Sequence, residues 1–228
     1  MLDAHQHFWT VARGDYAWMS PDLKPLYRDF GPADLAPLMA KAGITRTILV
    51  QAAETEAETD FLLAIAAKTD FVAGVVGWLD MTSADFPARP AHYKTQAKWV
   101  GLRPMLQEHD EGMILQPQFL ANLKHVANSG TAYDILTHPR HLPNVITALA
   151  QAPNLHAVVD HISKPLIASG ALDPWRADIA VLAAMPNIYC KVSGMVTEAG
   201  TDWTLDRLRA YVAHIAAVFG PDRLIFGS

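Results

Sequence analysis

Two histidines stand two positions apart near the start of the chain, in the stretch DAHQH that holds His5 and His7. In an extended segment alternate side chains leave the same face, so both imidazoles point one way. Neutral imidazole is the commonest protein ligand for zinc-like ions, and two on one face make half a metal site. A second group lies in VVDHISKP, with Asp160, His161 and Lys164. His161 is suited to ligate a metal or to move a proton, and Lys164 to face an anionic substrate or intermediate. The plainer alternative is that these polar residues tie down a loop. On a strand Asp160 and His161 point to opposite faces, so one of them at most is expected in a site. Arg103, in GLRPML, needs an anionic or carbonyl partner if buried, which a substrate or an internal carboxylate would supply equally well. In LTHPRHLP, His138 stands where it can reach a pocket, whereas Arg140 and His141 are placed to cap or precede a helix.

Such residues do chemistry only if separate elements bring them together. Short apolar or β-branched runs at 2–8, 45–52, 71–80, 99–106, 132–138, 156–162, 187–194 and 223–228 alternate with segments of helical period. Several runs lack polar alternation, as strands buried on both faces of a parallel sheet do. Between them, GPADLAPLMAKAG opens near Pro32 and stops at Gly43, and TEAETDFLLAIAAKT has its acids first and Lys68 in its last turn. QFLANLKHVANSG, HLPNVITALAQAP, DPWRADIAVLAAMP and TLDRLRAYVAHIAAVFG each carry one apolar face. The Pro-rich segment 82–98 predicts no full helix. An open doubly wound sheet would show a Gly-rich turn after its first strand, but FWTVARGDYAW follows here. A (β/α)8 TIM barrel instead puts its chemistry at the C-terminal strand ends. His5, His7, Gln51, Trp78, Asp80, Arg103, His138, His161 and Ser193 all fall at such ends. Closure would require the eighth strand to pair with both the first and the seventh. RLIFGS has only begun that strand, so the expectation is a C-terminally incomplete barrel. It forms a single domain over 1–228, lacks its last helix region, and belongs to a protein some tens of residues longer.

Composition narrows the setting. With 228 residues, 51% of them hydrophobic and 18% charged, one sizeable core is the default. A net charge of -5 argues against nucleic acid as a partner. No apolar run approaches the roughly 18 residues needed to span a bilayer, and MLDAHQHFW does not read as a secretory signal. The lone Cys190 excludes an intrachain disulfide and fits a reducing compartment, so a cytoplasmic protein is expected, with neither membrane nor nucleic acid as partner. Cys190 itself reads as a buried structural thiol. Phe8, Trp9, Tyr16, Trp18, Tyr27 and Phe30 crowd one long loop, either as a pocket wall over the barrel mouth or as a small core of its own.

Taken together, DAHQHFW, YAWMSPDL, GLRPMLQ, VVDHISKP, NIYCKVSG and RLIFGS resemble the amidohydrolase-2 family, and within it the sugar lactonases that open L-fuconolactone or L-rhamnonolactone rings. The resemblance implies a (β/α)8 barrel and hydrolysis of a small sugar lactone by an activated water. One divalent metal, zinc or manganese, serves some members, and others work metal-free. Residue by residue, it implies His5 and His7 as metal ligands and His161, Arg103 and His138 as catalytic groups, the role of His138 being where the family varies. Trp9, Trp78, Gln107 and Lys164 would hold substrate. Family members carry an aspartate directly after the position of Ser228, as base or metal ligand, and this sequence stops one residue before it. Two other readings stay open: a metal-dependent non-oxidative decarboxylase on the same barrel, and a sugar-binding pseudoenzyme. A homo-oligomer is also open.

Overall fold

The computed structural model describes residues 1–228. Eight parallel strands run in chain order: β1 (Leu2–Gln6), β2 (Arg46–Val50), β3 (Val72–Gly77), β4 (Trp99–Leu102), β5 (Ala132–Ile135), β6 (Ala157–Val159), β7 (Ile188–Val192) and β8 (Leu224–Phe226). Between them lie α1 (Pro32–Ala42), α2 (Glu56–Ala66), α3 (Arg89–Tyr93), α4 (Pro117–Ser129), α5 (Leu142–Ala150), α6 (Trp175–Ala183), α7 (Met195–Ala199) and α8 (Leu205–Phe219). The architecture is therefore an α/β barrel with helical crossovers between successive strands, two helices (α7 and α8) lying between β7 and β8, and the loops that follow the strands leaving one rim.

Local chemistry explains the boundaries. Thr55 caps α2 by accepting the Glu58 amide at 3.1 Å, and Thr204 does the same for Arg207 at the start of α8. In the segment 82–98, Pro87 and Pro90 remove amide donors, leaving a single 3-10 turn and the five-residue α3. β4 ends two residues before Pro104, and β6 ends at Val159 rather than at residue 162. Apolar faces of the helices bury against the sheet, with Phe119, Leu123 and Val126 of α4 and Trp175, Ile179 and Leu182 of α6 in the core. Cys190 is fully buried there, and burial pushes its thiol up.

The closure expected of the eighth strand is met on one side alone. β8 pairs with β7 from Cys190↔Leu224 to Val192↔Phe226, but no backbone ladder joins it to β1. The register of β1 shifts between Asp3 and Gln6, because the Asp3 carboxylate takes the His5 amide at 3.0 Å. The same carboxylate accepts from Gln6 Nε2 at 2.6 Å and from the Ser228 amide at 3.1 Å. The barrel is nearly closed, with a side chain bridging its seam.

Candidate active site

Six strands deliver polar groups to one place at the rim. His5 and His7, from β1 and the residue after its end, sit with their Nε2 atoms 3.0 Å apart. His7 Nδ1 donates to the Val50 carbonyl at 2.8 Å, which fixes its tautomer and leaves Nε2 as a lone pair. Arg103, just past β4, reaches Asp160 Oδ2 at 3.1 Å and His5 Nε2 at 3.4 Å, and also donates to the Gln51 carbonyl. Gln51 returns the bond, its Nε2 donating to the Arg103 carbonyl at 2.6 Å. Below them Lys191 of β7 lies 2.5 Å from Asp134 of β5, 2.8 Å from Asp160 and 3.3 Å from His5 Nδ1. Two cations and two carboxylates make this buried set neutral, the condition under which charges tolerate removal from water.

Burial dominates the ionisation of the imidazoles. It pushes His7 down to about 3, with Arg103 adding, and His161 down to about 4 against the pull of Asp160. His5 lies well below the usual histidine range for the same reason, so all three rings are neutral at pH 7. Burial alone would raise Asp160, but Lys191, His5 and Arg103 hold it well below the usual carboxylate range. Asp134, buried and less fully compensated by Lys191, rises to about 6. Gln51 Oε1 and Arg103 Nε are buried without a protein partner, the kind of uncompensated polar atom that marks a functional site.

The expectation that Asp160 and His161 diverge is overturned. Beyond Val159 the chain leaves the strand and winds left-handed, with φ of 52°, 49°, 61° and 47° at His161, Ile162, Ser163 and Lys164. Strand alternation no longer applies, and His5, Asp160 and His161 bring ligand atoms within 4.8 Å of one another. His161 Nδ1 lies 2.8 Å from Ser193 Oγ, and its ring meets that of His5 edge-on at 4.4 Å.

The remaining candidates spread along the rim. Trp9 is buried with Tyr16, Ala52 and Ala53, donates to the Leu26 and Arg28 carbonyls, and edges a cavity of about 560 Å3 that His5 and His7 also line. The aromatic loop thus serves as both a small core and a wall. Trp78 borders a separate cavity over β3 and β4. Gln107 donates to Glu108 at 2.6 Å, while its Oε1 has no protein partner. Lys164 is half-buried and forms no ion pair. His138 stands apart from the imidazole cluster, stacked on His141 at 6.3 Å, its amide received by His141 Nδ1. Asp134 belongs to no motif, and Lys191 lies within NIYCKVSG without standing among the expected site residues. The one signal pointing to them is a charge inside an apolar parallel strand, in AYDI and IYCKV.

The amidohydrolase family model matches residues 2–228. The chain is 44% identical over 232 residues to an L-fucono-1,5-lactonase of Burkholderia ambifaria, a match covering 100% of this chain and 79% of that protein. It is 36% identical over 241 residues to an L-fucono-1,5-lactonase of Burkholderia multivorans, covering 100% of this chain and 80% of that protein. Among solved structures it is similar to the crystal structure of an amidohydrolase from Burkholderia multivorans with bound zinc. There the TM-score is 0.92 and the identity 35%, over 100% of this chain and 83% of the other.

Proposed function

The chain belongs to the amidohydrolase family, and from that premise we propose that it hydrolyses the lactone ring of a sugar acid of the L-fucono- or L-rhamnonolactone type. The observation that carries the reading is the convergence of His5, His7 and His161 with Arg103 at one rim. The 44% identity to a lactonase supports the substrate class.

Lactone opening transfers an acyl group to water, so it needs a developing oxyanion to be stabilised and a leaving alkoxide to be protonated. In this proposal Arg103, always charged, and His161, anchored at Nδ1 by Ser193, polarise the ester carbonyl. Trp9, Trp78, Gln107 and Lys164 position the substrate, and His138 acts on it from beside Lys164. Water activation is assigned to the rim beside Ser228, whose amide lies on Asp3 next to the histidine pair.

The residues fit a divalent metal. Two imidazole nitrogens 3.0 Å apart, one with its other nitrogen committed to Val50, are a donor pair of the kind zinc takes. His5 and His7 would hold the ion with Asp160 or His161 as a third ligand. Asp160 Oδ1 lies 3.6 Å from His5 Nδ1, and its charge there favours a ring that keeps its proton on Nδ1 and leaves Nε2 as the ligand atom. When bound, such an ion lowers the pKa of its water toward about 7.

No helix is long and apolar enough to cross a membrane, and the buried lone thiol is compatible with the cytoplasmic setting included in the proposal. The test is acid release in a pH-stat from hexono- and pentonolactones. Turnover that falls roughly 100-fold or more in His161→Ala is expected. Zinc content lost in His5→Ala/His7→Ala would support their ligand role. Carbon dioxide from an aromatic or unsaturated acid, with no lactone opened, would replace the reading with a decarboxylase.

A further inference from the structure

The rim over β2 and β4 carries a polar pair that the chemistry above leaves unused. His109 Nε2 lies 2.9 and 3.1 Å from the two carboxylate oxygens of Glu54. Glu54 follows Gln51 by three residues of chain, which keeps its Cα within roughly 10 Å of that site residue. Cavities of about 260 and 250 Å3 open on either side of Glu54, and Met105 borders both. Trp18 walls the first, its indole held in place by Nε1–H donating to the Ala52 carbonyl at 2.8 Å.

Other carboxylates on this side are turned to local partners. Asp80 Oδ1 takes both the amide and the hydroxyl of Thr82, Asp15 pairs with Arg13, and Glu108 receives Gln107. Glu54 meets a single ring nitrogen, leaving most of the roughly four lone-pair positions of a carboxylate open toward the cavities. A carboxylate beside a fixed, partly exposed indole matches the two faces of a sugar, hydroxyl donors on one and apolar C–H on the other.

We propose that Glu54 and His109, with Trp18, form the subsite that binds the polyol portion of the substrate and reads its hydroxyl configuration, while Arg103 and His161 hold the acyl end. This rests on the lactone reading. Charge orients the substrate accordingly: Arg103 and the unpaired Lys164 draw the carbonyl end, and Glu54 draws the hydroxyl donors.

Calorimetry with six-carbon aldonates, the ring-opened acids, and with hexanoate reads the subsite without requiring turnover. Glu54→Ala is expected to weaken aldonate binding by roughly 10-fold or more, to leave hexanoate binding unchanged and to keep the thermal midpoint of the wild type. In lactone kinetics the loss should fall on KM rather than on kcat. Aldonate bound no more tightly than hexanoate by the wild type, or both weakened equally by the substitution, overturns the proposal. A wild type that shows the aldonate pattern yet opens no lactone would sink the hydrolase reading and leave the subsite standing.

Discussion

Ser193 and Gly194, at the tip of β7, together fix where the His161 ring lies. The serine hydroxyl meets Nδ1 at 2.8 Å, and a Cβ added at Gly194 would stand 2.7 Å from Nδ1 and 2.8 Å from Cγ. Gly194 also has a φ of +64°, so alanine there adds about 1–2 kcal/mol of backbone strain to the clash. Gly194→Ala should lower kcat by roughly 100-fold, since a displacement of about 1 Å suffices for that. Ser193→Ala should lower kcat with KM and thermal midpoint near those of the wild type, and Ser193→Thr should restore part of it. Wild-type rates in all three variants would show that His161 is not held from this side. His138 gives a pH test. Burial, then Lys164 and Arg140, push it down to about 4 from an ordinary 6.5. Between those values the unfolded chain takes up a proton that the folded one refuses. The contribution of His138 is therefore intact above about pH 6.5 and is lost as pH falls toward 4. Urea titrations should show His138→Asn losing less stability than the wild type between pH 6.5 and 4.5, with parallel behaviour above pH 7. The ring is half-buried, so the difference will be well short of the full shift.

At the scale of elements, the left-handed turn 161–164 is the costly piece. Four consecutive non-glycine residues with positive φ carry about 1–2 kcal/mol each. Three anchors hold it: Trp175 Nε1 donates to the Ile162 carbonyl at 2.7 Å, Ser163 and Thr137 share a hydroxyl bond at 2.6 Å, and the Lys164 amide returns to the His161 carbonyl at 2.8 Å. Strain kept at a site by such over-determination serves pre-organisation. Lys164→Gly should be about 1 kcal/mol more stable than Lys164→Ala in chemical denaturation, because both lose the side chain and only glycine accepts the backbone. Equal stability would mean the turn is not strained in solution. The helices around it were readable from one-sided apolar periodicity, as in α4, α5, α6 and α8. Strand lengths were overread, as at β3, β4 and β6; at β6 the reason is that VVDHI continues an extended pattern that the turn breaks.

At the scale of the molecule, the barrel depends on Asp3 to hold β8 against β1. Its carboxylate receives the His5 amide, Gln6 Nε2 and the Ser228 amide, and Gln6 also touches the Ser228 hydroxyl. Gly227 packs where a Cβ would come within 2.8 Å of His5 Cβ, so the seam and the histidine pair share a wall. Removing Asp3 takes away charge-assisted bonds worth about 1.5–3 kcal/mol each before compensation by water. Asp3→Ala should therefore speed amide exchange over 224–228 and at His5 while leaving β4 to β6 protected, a pattern that hydrogen-exchange mass spectrometry resolves. Uniform protection would show that the seam is closed by other means.

The sequence by itself determined the order of strands and helices, the choice of a barrel over an open sheet, and the strand ends that carry His5, His7, Arg103 and His161. Those properties follow from periodicity and from residue type, which are local. Only the tertiary structure brought Asp160 to the same side as His161, set Lys191 between two carboxylates, and joined β1 to β8 through a side chain. Each of these depends on contacts with partners far along the chain: Trp175 and Gly194 for the turn, Asp134 and Asp160 for Lys191, and Ser228 for Asp3. A repeating pattern of faces cannot encode the sign of φ at a turn, or which buried charges neutralise one another, until the barrel has brought those partners within reach.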